Sequence, residues 1–332
     1  MIIKKPAYFD DFHCLAGQCP DSCCKEWDVL VDDDSARQYL AIEGDLGDRL
    51  RQVMYREDGQ YYFAIQPDRR CPMWRDDGLC RIQAEKGEEM LCKTCADFPR
   101  LTHDYGDFME RGLELSCPEA ARIILSAVPA PWVVEQFPGG EAEYDVDAMD
   151  CLLRVREEAL AILEDRRYSP AEALALLLIH GYRSQEVLDG GEWEPFDAEG
   201  ALALAWELAC DPDGQALTDF FLDLEILTPQ WKERLEAGWQ NAPIPELCRP
   251  MARYFAERYY LQAVSDYDLV SRVKLTVISC LLVTGLGGDF VQTAQMYSKE
   301  IENSADNVDA ILDGAYAAPA LTDARVLGLL LK

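Results

Sequence analysis

Basic side chains are scarce in this sequence: 31 Lys and Arg stand against 61 Asp and Glu, a formal net charge of -30. A surface of that sign repels a phosphate backbone, which excludes nucleic acid as a partner. Residues 1–117 hold 15 basic and 24 acidic side chains and residues 118–332 hold 16 and 37, so the rear part carries most of the negative field. A basic partner would be drawn there, although a solvated acidic surface accounts for the same charge. Long apolar runs are missing too. The opening segment from Met1 to Asp11 has a few basic residues with no apolar stretch or cleavage site behind them. The most apolar later run, Leu275 to Val283, is far too short to span a bilayer and sits beside Lys274. These absences lead us to expect a cytoplasmic protein with no membrane segment. Phosphate-loop, zinc-peptidase and serine-hydrolase motifs are absent, and no fixed-period repeat points to a solenoid.

What the chain does have is thiols. Nine of its thirteen cysteines lie between Cys14 and Cys117. In a reducing compartment they are free for metal rather than held in disulfides. Buried cysteines that serve packing are scattered, as Cys151, Cys210, Cys248 and Cys280 are, whereas the front thiols are crowded. The one Cys-x2-Cys knuckle is Cys92 with Cys95, and the other spacings are irregular, so iron-sulfur suits the cluster at least as well as zinc. Cys19-x3-Cys23 begins a radical-type Cys-x3-Cys-x2-Cys motif, but Glu26 stands at its third position and Cys24 follows Cys23 directly. His13 and His103 read as local hydrogen-bonding residues rather than ligands.

Around the thiols the pattern predicts short elements: a strand over Trp27 to Asp32, a helix from Ser35 (as N-cap) through Tyr55, and a strand over Gln60 to Ile65. A tight turn at Asp77-Gly78 would fold Cys80 back towards Cys71. A short helix follows from about Ile82, and a hairpin over Leu101 to Leu115 turns near Tyr105-Gly106-Asp107. From Pro118 the pattern becomes helical, with apolar residues at helical spacing over 120–127, 146–166, 170–188, 198–209, 215–227, 245–264 and 269–284. The fold class expected is mainly α: a cysteine-rich metal-binding domain with short strands (1–128), a Pro- and Gly-rich linker (129–143) and an α-helical domain (144–332). Thr276 to Asp289 imitates a strand and Gly-rich nucleotide turn, but Lys274 to Gly285 reads better as a buried helix closed by glycine.

The residues carry a resemblance. Phe12-x-Cys14, Cys19, Cys23-Cys24, Cys71-Pro72-x-Trp74, Gly78-x-Cys80-x-Ile82 and Cys95-x-x-Phe98-Pro99 resemble the zinc- or iron-chelating Cys-x2-Cys-x2-Cys-Cys family. Trp27, Phe98-Pro99-Arg100 and Leu115-Ser116-Cys117-Pro118-Glu119-Ala120-Ala121-Arg122 resemble, more narrowly, the flagellin lysine-N-methylase family. The resemblance covers about the first 125 residues. It implies metal ligands among Cys14, Cys19, Cys23, Cys24, Cys71, Cys80, Cys95 and Cys117, with Cys92 an addition to the pattern. Eight thiolates exceed one four-ligand centre, so either two centres form or some of these cysteines serve packing.

It further implies an S-adenosylmethionine-dependent protein lysine N-methyltransferase acting on a lysine-bearing protein such as flagellin, with an iron-sulfur (4Fe–4S) or zinc centre. The rival reading is a non-enzymatic metal-binding redox sensor or assembly module with a helical docking domain. No catalytic residue is legible. On the helix after Pro245, Arg253 with Glu257 and Tyr254 with Arg258 are i,i+4 neighbours, which reads as an exposed face held by side-chain pairs. The sharper alternative puts Arg253, Tyr254, Arg258 and Tyr259 in a cleft, where arginine could bind a cofactor carboxylate and tyrosine could align a lysine amine.

Overall fold

The computed structural model describes residues 1–27 and 29–332. Strand β1 (Ile2–Lys5) precedes the thiol-rich loop, which is followed by β2 (Val29–Val31), α1 (Asp33–Ala41), α2 (Gly44–Val53), β3 (Met54–Glu57) and β4 (Gln60–Phe63). Next come α3 (Arg81–Lys86), α4 (Lys93–Asp97), β5 (Arg100–Asp104) and β6 (Phe108–Leu113). The strand expected over Trp27 to Asp32 is thus β2, and Asp28 lies outside the described residues.

The single helix expected from Ser35 to Tyr55 is two helices and a strand. Asp32, not Ser35, is the N-cap, its carboxylate accepting from the Ser35 N–H at 2.9 Å. Gly44, at φ +80°, lets the chain turn between the helices, and Met54–Glu57 pairs with β4 in a three-stranded sheet of order β2-β4-β3. The turn at Asp77-Gly78 forms as expected: Gly78 has φ +79°, and Cys80 lies across from Trp74 in a bridge. The hairpin β5–β6 also forms, turning at Gly106 with φ +92°.

The rear part comprises α5 (Pro118–Ser126), strand β7 (Val133–Gln136), α6 (Val146–Glu164), α7 (Pro170–Leu188), α8 (Ala198–Leu208) and α9 (Gly214–Leu222). It continues with α10 (Pro229–Glu236), α11 (Cys248–Tyr259), α12 (Leu269–Gly285), α13 (Phe290–Ile301), α14 (Ala305–Ala317) and α15 (Asp323–Leu331). α12 is buried along its whole length and packs against α7, α11, α13 and α14. The helix reading of Lys274 to Gly285 therefore holds, with Leu286 as the C-cap and Gly287 and Gly288 at positive φ beyond it.

Helix α9 stops five residues short of the expected Leu227. The chain beyond it is captured instead, the Leu227 N–H donating to Glu300 Oε2 at 2.7 Å and the Glu225 N–H to Asn307 at 3.0 Å. The helix expected over 245–264 divides into α11 and a 3-10 turn, Tyr260–Val264. α10, α13, α14 and α15 were not foreseen. Part of the acidity is structural: Asp145, Asp197, Asp213, Asp268 and Asp289 each accept a backbone N–H at a helix N-terminus.

Residues 129–143 contain β7, which pairs antiparallel with β1, while β1 pairs parallel with β6, giving a sheet of order β5-β6-β1-β7. The apolar interior falls into two clusters. The larger joins Phe9, Phe12, Phe108, Leu113 and Cys117 to the helices. The smaller gathers Val31, Tyr39, Leu50, Phe63, Met73 and Ile82 around Cys71 and Cys92. The structure is thus largely helical with short strands, and among the described residues no helix is long and apolar enough to cross a membrane.

Candidate functional site

The thiols between Cys14 and Cys117 fall into two groups. Cys24, Cys80 and Cys95 pack against the smaller apolar cluster, whose interior holds Cys71 and Cys92. The Cys71 N–H donates to the Cys24 carbonyl at 2.7 Å, so these two strands of chain run side by side. Charge on Cys24, Cys80 or Cys92 opposes ionisation of Cys71, and charge on Cys92, Cys24 or Cys71 opposes that of Cys95, as expected of thiols sharing one low-dielectric space.

Cys14, Cys19, Cys23 and Cys117 form the other group. Cys24 most strongly opposes ionisation of Cys23, with charge on Cys14 and Cys117 adding, and charge on Cys19 and Cys14 opposes that of Cys117. Cys117 belongs to the larger core and is the residue before α5, where the backbone N–H groups of Ala120 and Glu119 favour its thiolate against the burial that lifts its pKa to about 11. A single side-chain amide holds this group's loop to Cys117's neighbour: Gln295 Nε2 donates to Asp21 Oδ2 at 3.0 Å and to the Ser116 carbonyl at 2.8 Å. The Lys299 ammonium also reaches Asp21 Oδ2 at 3.0 Å, and the Cys19 thiol donates to the Asp21 carbonyl at 2.6 Å.

Two pairs of thiols are closely coupled, and the first of them joins the two groups. Cys23 donates to Cys24, which lowers Cys24 to about 7 and makes Cys23 hold its proton more strongly. Cys92 and Cys95 behave alike, with Cys92 lowered by its hydrogen bond to Cys95. Ionisable thiols near neutral pH are what metal binding and thiol chemistry both need. Among the described residues no three His, Cys, Asp or Glu side chains converge on a point where they would hold a single metal ion.

Beside the thiols lies a cavity of about 400 Å³ between β1's exit, the chain before β7, α5 and α11. Tyr8, Trp132 and Ile123 line it, with Arg253, Tyr254 and Glu257 contributed by α11. Helix α5 connects the two regions, with Cys117 at its start and Ile123, Ile124 and Ser126 at the cavity, about 10 Å along at 1.5 Å per residue. A smaller cavity of about 30 Å³ shares Pro6, Tyr8, Trp132, Tyr254 and Glu257 and adds His103 and Arg258. Burial raises Glu257's pKa, opposed by Arg253 3.5 Å away and by Arg156.

The exposed face expected for this helix is overturned. Arg249, Tyr254, Tyr259 and Tyr260 are buried. The expected pairs do form, but inside a larger network, because remote carboxylates close over them. Arg258 donates to the Tyr254 hydroxyl at 2.5 Å and lies 3.1 Å from Glu302 and 3.7 Å from Glu114, while Tyr254 and Tyr259 both donate to Glu302. Arg253 also pairs with Glu164. Arg253 and Tyr254 thus reach the larger cavity and Arg258 the smaller, while Tyr259 is tied up with Glu302.

Of the cysteines read as packing residues, Cys248 and Cys280 are fully buried against each other, Cys151 is half-buried, and Cys210 is exposed in the connection between α8 and α9, so packing does not describe it. His13 makes the expected local bond, to the Asp11 carbonyl at 3.0 Å. His103 does not: its Nε2 is buried without a hydrogen-bond partner. Sequence reasoning passed over Tyr8 and Trp132 as site residues because nothing in their neighbourhoods marks them, and it weighed His103 only as a metal ligand against a local hydrogen-bonding residue. Tyr8 and Trp132 are 124 residues apart and meet only through the pairing of β1 with β7.

A thiol-rich region of short strands and helices, set on a helical body that holds a cavity lined by aromatic side chains and charges of both signs, defines a cysteine-rich, largely helical protein. The chain is 31% identical over 130 residues to the flagellar biosynthetic protein FliU of Salmonella muenchen, a match covering 37% of this chain and 77% of that protein. It belongs to the family of that protein. Over 130 residues it is also 31% identical to lysine-N-methylases of Salmonella choleraesuis (strain SC-B67) and Salmonella typhimurium (strain LT2), covering 37% of this chain and 32% of each. The match thus spans about a third of the length of those two enzymes. No protein-family profile and no solved structure matches the chain.

Proposed function

We propose that the protein is an S-adenosylmethionine-dependent protein-lysine N-methyltransferase acting on a flagellin-type substrate, with a thiolate-held iron-sulfur centre. The observation that carries this reading is the likeness to proteins named lysine-N-methylase. The flagellar name of the first relative points to the substrate, and an acidic surface suits a lysine-bearing protein.

The cavity suits the methyl donor in size and lining. Its volume lies within the ~300–1,000 Å³ of small-molecule sites. Tyr8 and Trp132 offer aromatic faces for a nucleobase, Arg253 a cation for a carboxylate and Glu257 an anion for a cationic centre. The donor would supply the electrophilic methyl group; the protein's part is to bring a neutral amine to it. Glu257 draws a lysine ammonium into the site. His103, kept neutral by burial and by the nearby Arg258, has its Nε2 free to accept the proton that the ammonium must lose.

The metal reading rests on the donor set: both groups are thiols, the inner one set in apolar surroundings and the outer one with Cys14 and Cys23 exposed. Cys14, Cys19, Cys23, Cys24, Cys71, Cys80, Cys95 and Cys117, with Cys92 beside them, would hold the iron-sulfur centre. It would serve to order the loop beside the cavity.

The test is anaerobic metal and sulfide analysis of the purified protein, followed by thermal unfolding with S-adenosylmethionine and transfer of labelled methyl to flagellin lysines. Stabilisation by the donor and label on lysine are expected. Bound metal without either result would favour the sensor reading and overturn this one.

A further inference from the structure

We propose that the open edge of β7 is where the protein substrate docks, a lysine-bearing segment adding to the sheet as a fifth strand and delivering its lysine to the cavity. This inference rests on the methyltransferase reading above and adds to it how the substrate is held.

Strand β7 ends the sheet β5-β6-β1-β7 and is paired on one side only. Its ladder fixes which backbone groups are left over. Phe137 and Met1 exchange both bonds, the Phe137 N–H reaching the Met1 carbonyl at 2.9 Å and the Met1 nitrogen the Phe137 carbonyl at 2.8 Å. The next residue along, Ile2, turns its N–H the other way, to the Asp107 carbonyl at 2.9 Å. Antiparallel pairs alternate, so Ile3 with Glu135 and Lys5 with Val133 are the other bonded pairs, and Val134 and Gln136 point their N–H and C=O groups away from β1. Among the described residues nothing bonds these four groups.

Edge strands of soluble proteins are blunted by lysine, proline or a covering element. β7 has none of these. It reads Val-Val-Glu-Gln, all of it is exposed, and Val134 and the following Phe137 keep 53% and 45% of their surface in solvent. Such an edge is a template for an added strand, main-chain bonds giving affinity and alternate side chains giving specificity.

The edge runs into the cavity. Trp132, one residue before β7, lines it together with Pro6, which follows β1, and the exposed Val128. Side chains directly opposite each other in neighbouring strands lie on the same face, so a substrate residue paired opposite Trp132 turns its side chain to the face that Trp132 uses. The lysine takes that position.

Charge selects the occupant. From Ile123 to Leu153 the chain has six acidic residues and no basic one. Glu135 is shared with Lys5, and Glu141 and Glu143 stand exposed just beyond the strand. A basic segment is attracted there. A second copy of the chain is not, because β7 against β7 sets the same acidic segment against itself between molecules of net charge -30.

The experiment uses the full chain and a synthetic peptide of about ten residues that alternates threonine and lysine. At saturating peptide, amide hydrogen exchange at Val134 and Gln136 should slow about tenfold. Affinity should fall about tenfold or more when the peptide is N-methylated along its backbone, when glutamate replaces its lysines, and in Val134→Pro. That substitution removes an N–H which bonds nothing in the sheet, and the methylated peptide leaves the protein unaltered. The docking edge is overturned if the two amides exchange equally with and without peptide, if the methylated or the glutamate peptide binds as well, or if those amides are already protected in a dimer of the free protein. Methyl transfer separates this inference from the reading it rests on. Label reaching flagellin as fast in Val134→Pro as in the wild type overturns the docking edge and leaves the methyltransferase standing. Protection of the edge with no label transferred upholds the docking edge and overturns the methyltransferase.

Discussion

The Arg156 guanidinium on α6 grips the Glu110 carboxylate on β6 through two hydrogen bonds of 2.6 and 2.7 Å, both side chains being buried. The pair ties the four-stranded sheet to the helical body, and Arg156 also lies over the Trp132 ring that lines the cavity. Removing one partner leaves a charge buried without its counter-ion. Arg156→Ala is expected to lower stability by about 3–5 kcal/mol, whereas replacing both partners with apolar residues costs much less. Denaturant unfolding of the two single variants and the double checks this.

His103 gives a pH prediction. Burial, aided by Arg258 and Arg156 and opposed by Glu110, lowers its pKa, so it stays a neutral proton acceptor below pH 6.5. Tyr254, Glu257 and Arg258 share its cavity. Methyl transfer should fall as pH drops through the depressed value, and His103→Asn should remove that limb and lower kcat about 100-fold with little change in KM. An unaltered profile in the variant would remove His103 from the reaction.

Glu114 links the same region to stability. Burial lifts its pKa to about 7, with Glu302 adding and Arg258 opposing. The folded protein therefore binds one more proton than the unfolded chain between the ordinary carboxyl value of 4.5 and about 7. Stability should decline as pH rises through that window, by about 3 kcal/mol, and level off above it. Thermal unfolding across pH should show a flattened slope in Glu114→Gln.

The cavity predicts a binding effect. Trp132→Ala removes an aromatic wall and a hydrogen bond that favours the Glu257 carboxylate, and should weaken donor binding about tenfold in calorimetry while the far-ultraviolet spectrum stays unchanged.

Gly285 probes the helical body, since a Cβ there would come within 2.1 Å of the Trp239 ring. Gly285→Ala should therefore cost about 1–3 kcal/mol by overpacking even though alanine is the better helix former. Guanidinium unfolding reads the difference.

Much of the local structure was legible. The Asp77-Gly78 turn was readable because a positive-φ glycine after aspartate decides the chain's direction within four residues. Helices α6 and α7 were readable because their apolar spacing is long and α7 opens on a Ser169 capping box with Pro170 in the first turn. Helix α10 was overlooked although Thr228-Pro229 gave it a start of the same kind, because its own sequence is short and polar. The burial of α11 was not legible at all. Its i,i+4 pairs look the same on an exposed face as on a buried one, and the carboxylates that close over them, Glu164, Glu114 and Glu302, come from distant parts of the chain.

By itself the sequence determined the chemistry on offer: a crowd of thiols in the first third, an acidic surface, and helices wherever apolar residues recur at the right spacing. Those are properties of composition and of contacts within a few residues. The tertiary structure alone decided what the thiol-bearing segments meet: the Cys24 carbonyl accepts from the Cys71 N–H, while the Gln295 amide ties Asp21 to Ser116 beside Cys117. It also decided where the cavity lies, since Tyr8, Trp132 and α11 meet only when β1 is held between β6 and β7. Pairings across a hundred residues depend on how whole surfaces fit, and no short stretch of sequence records that fit.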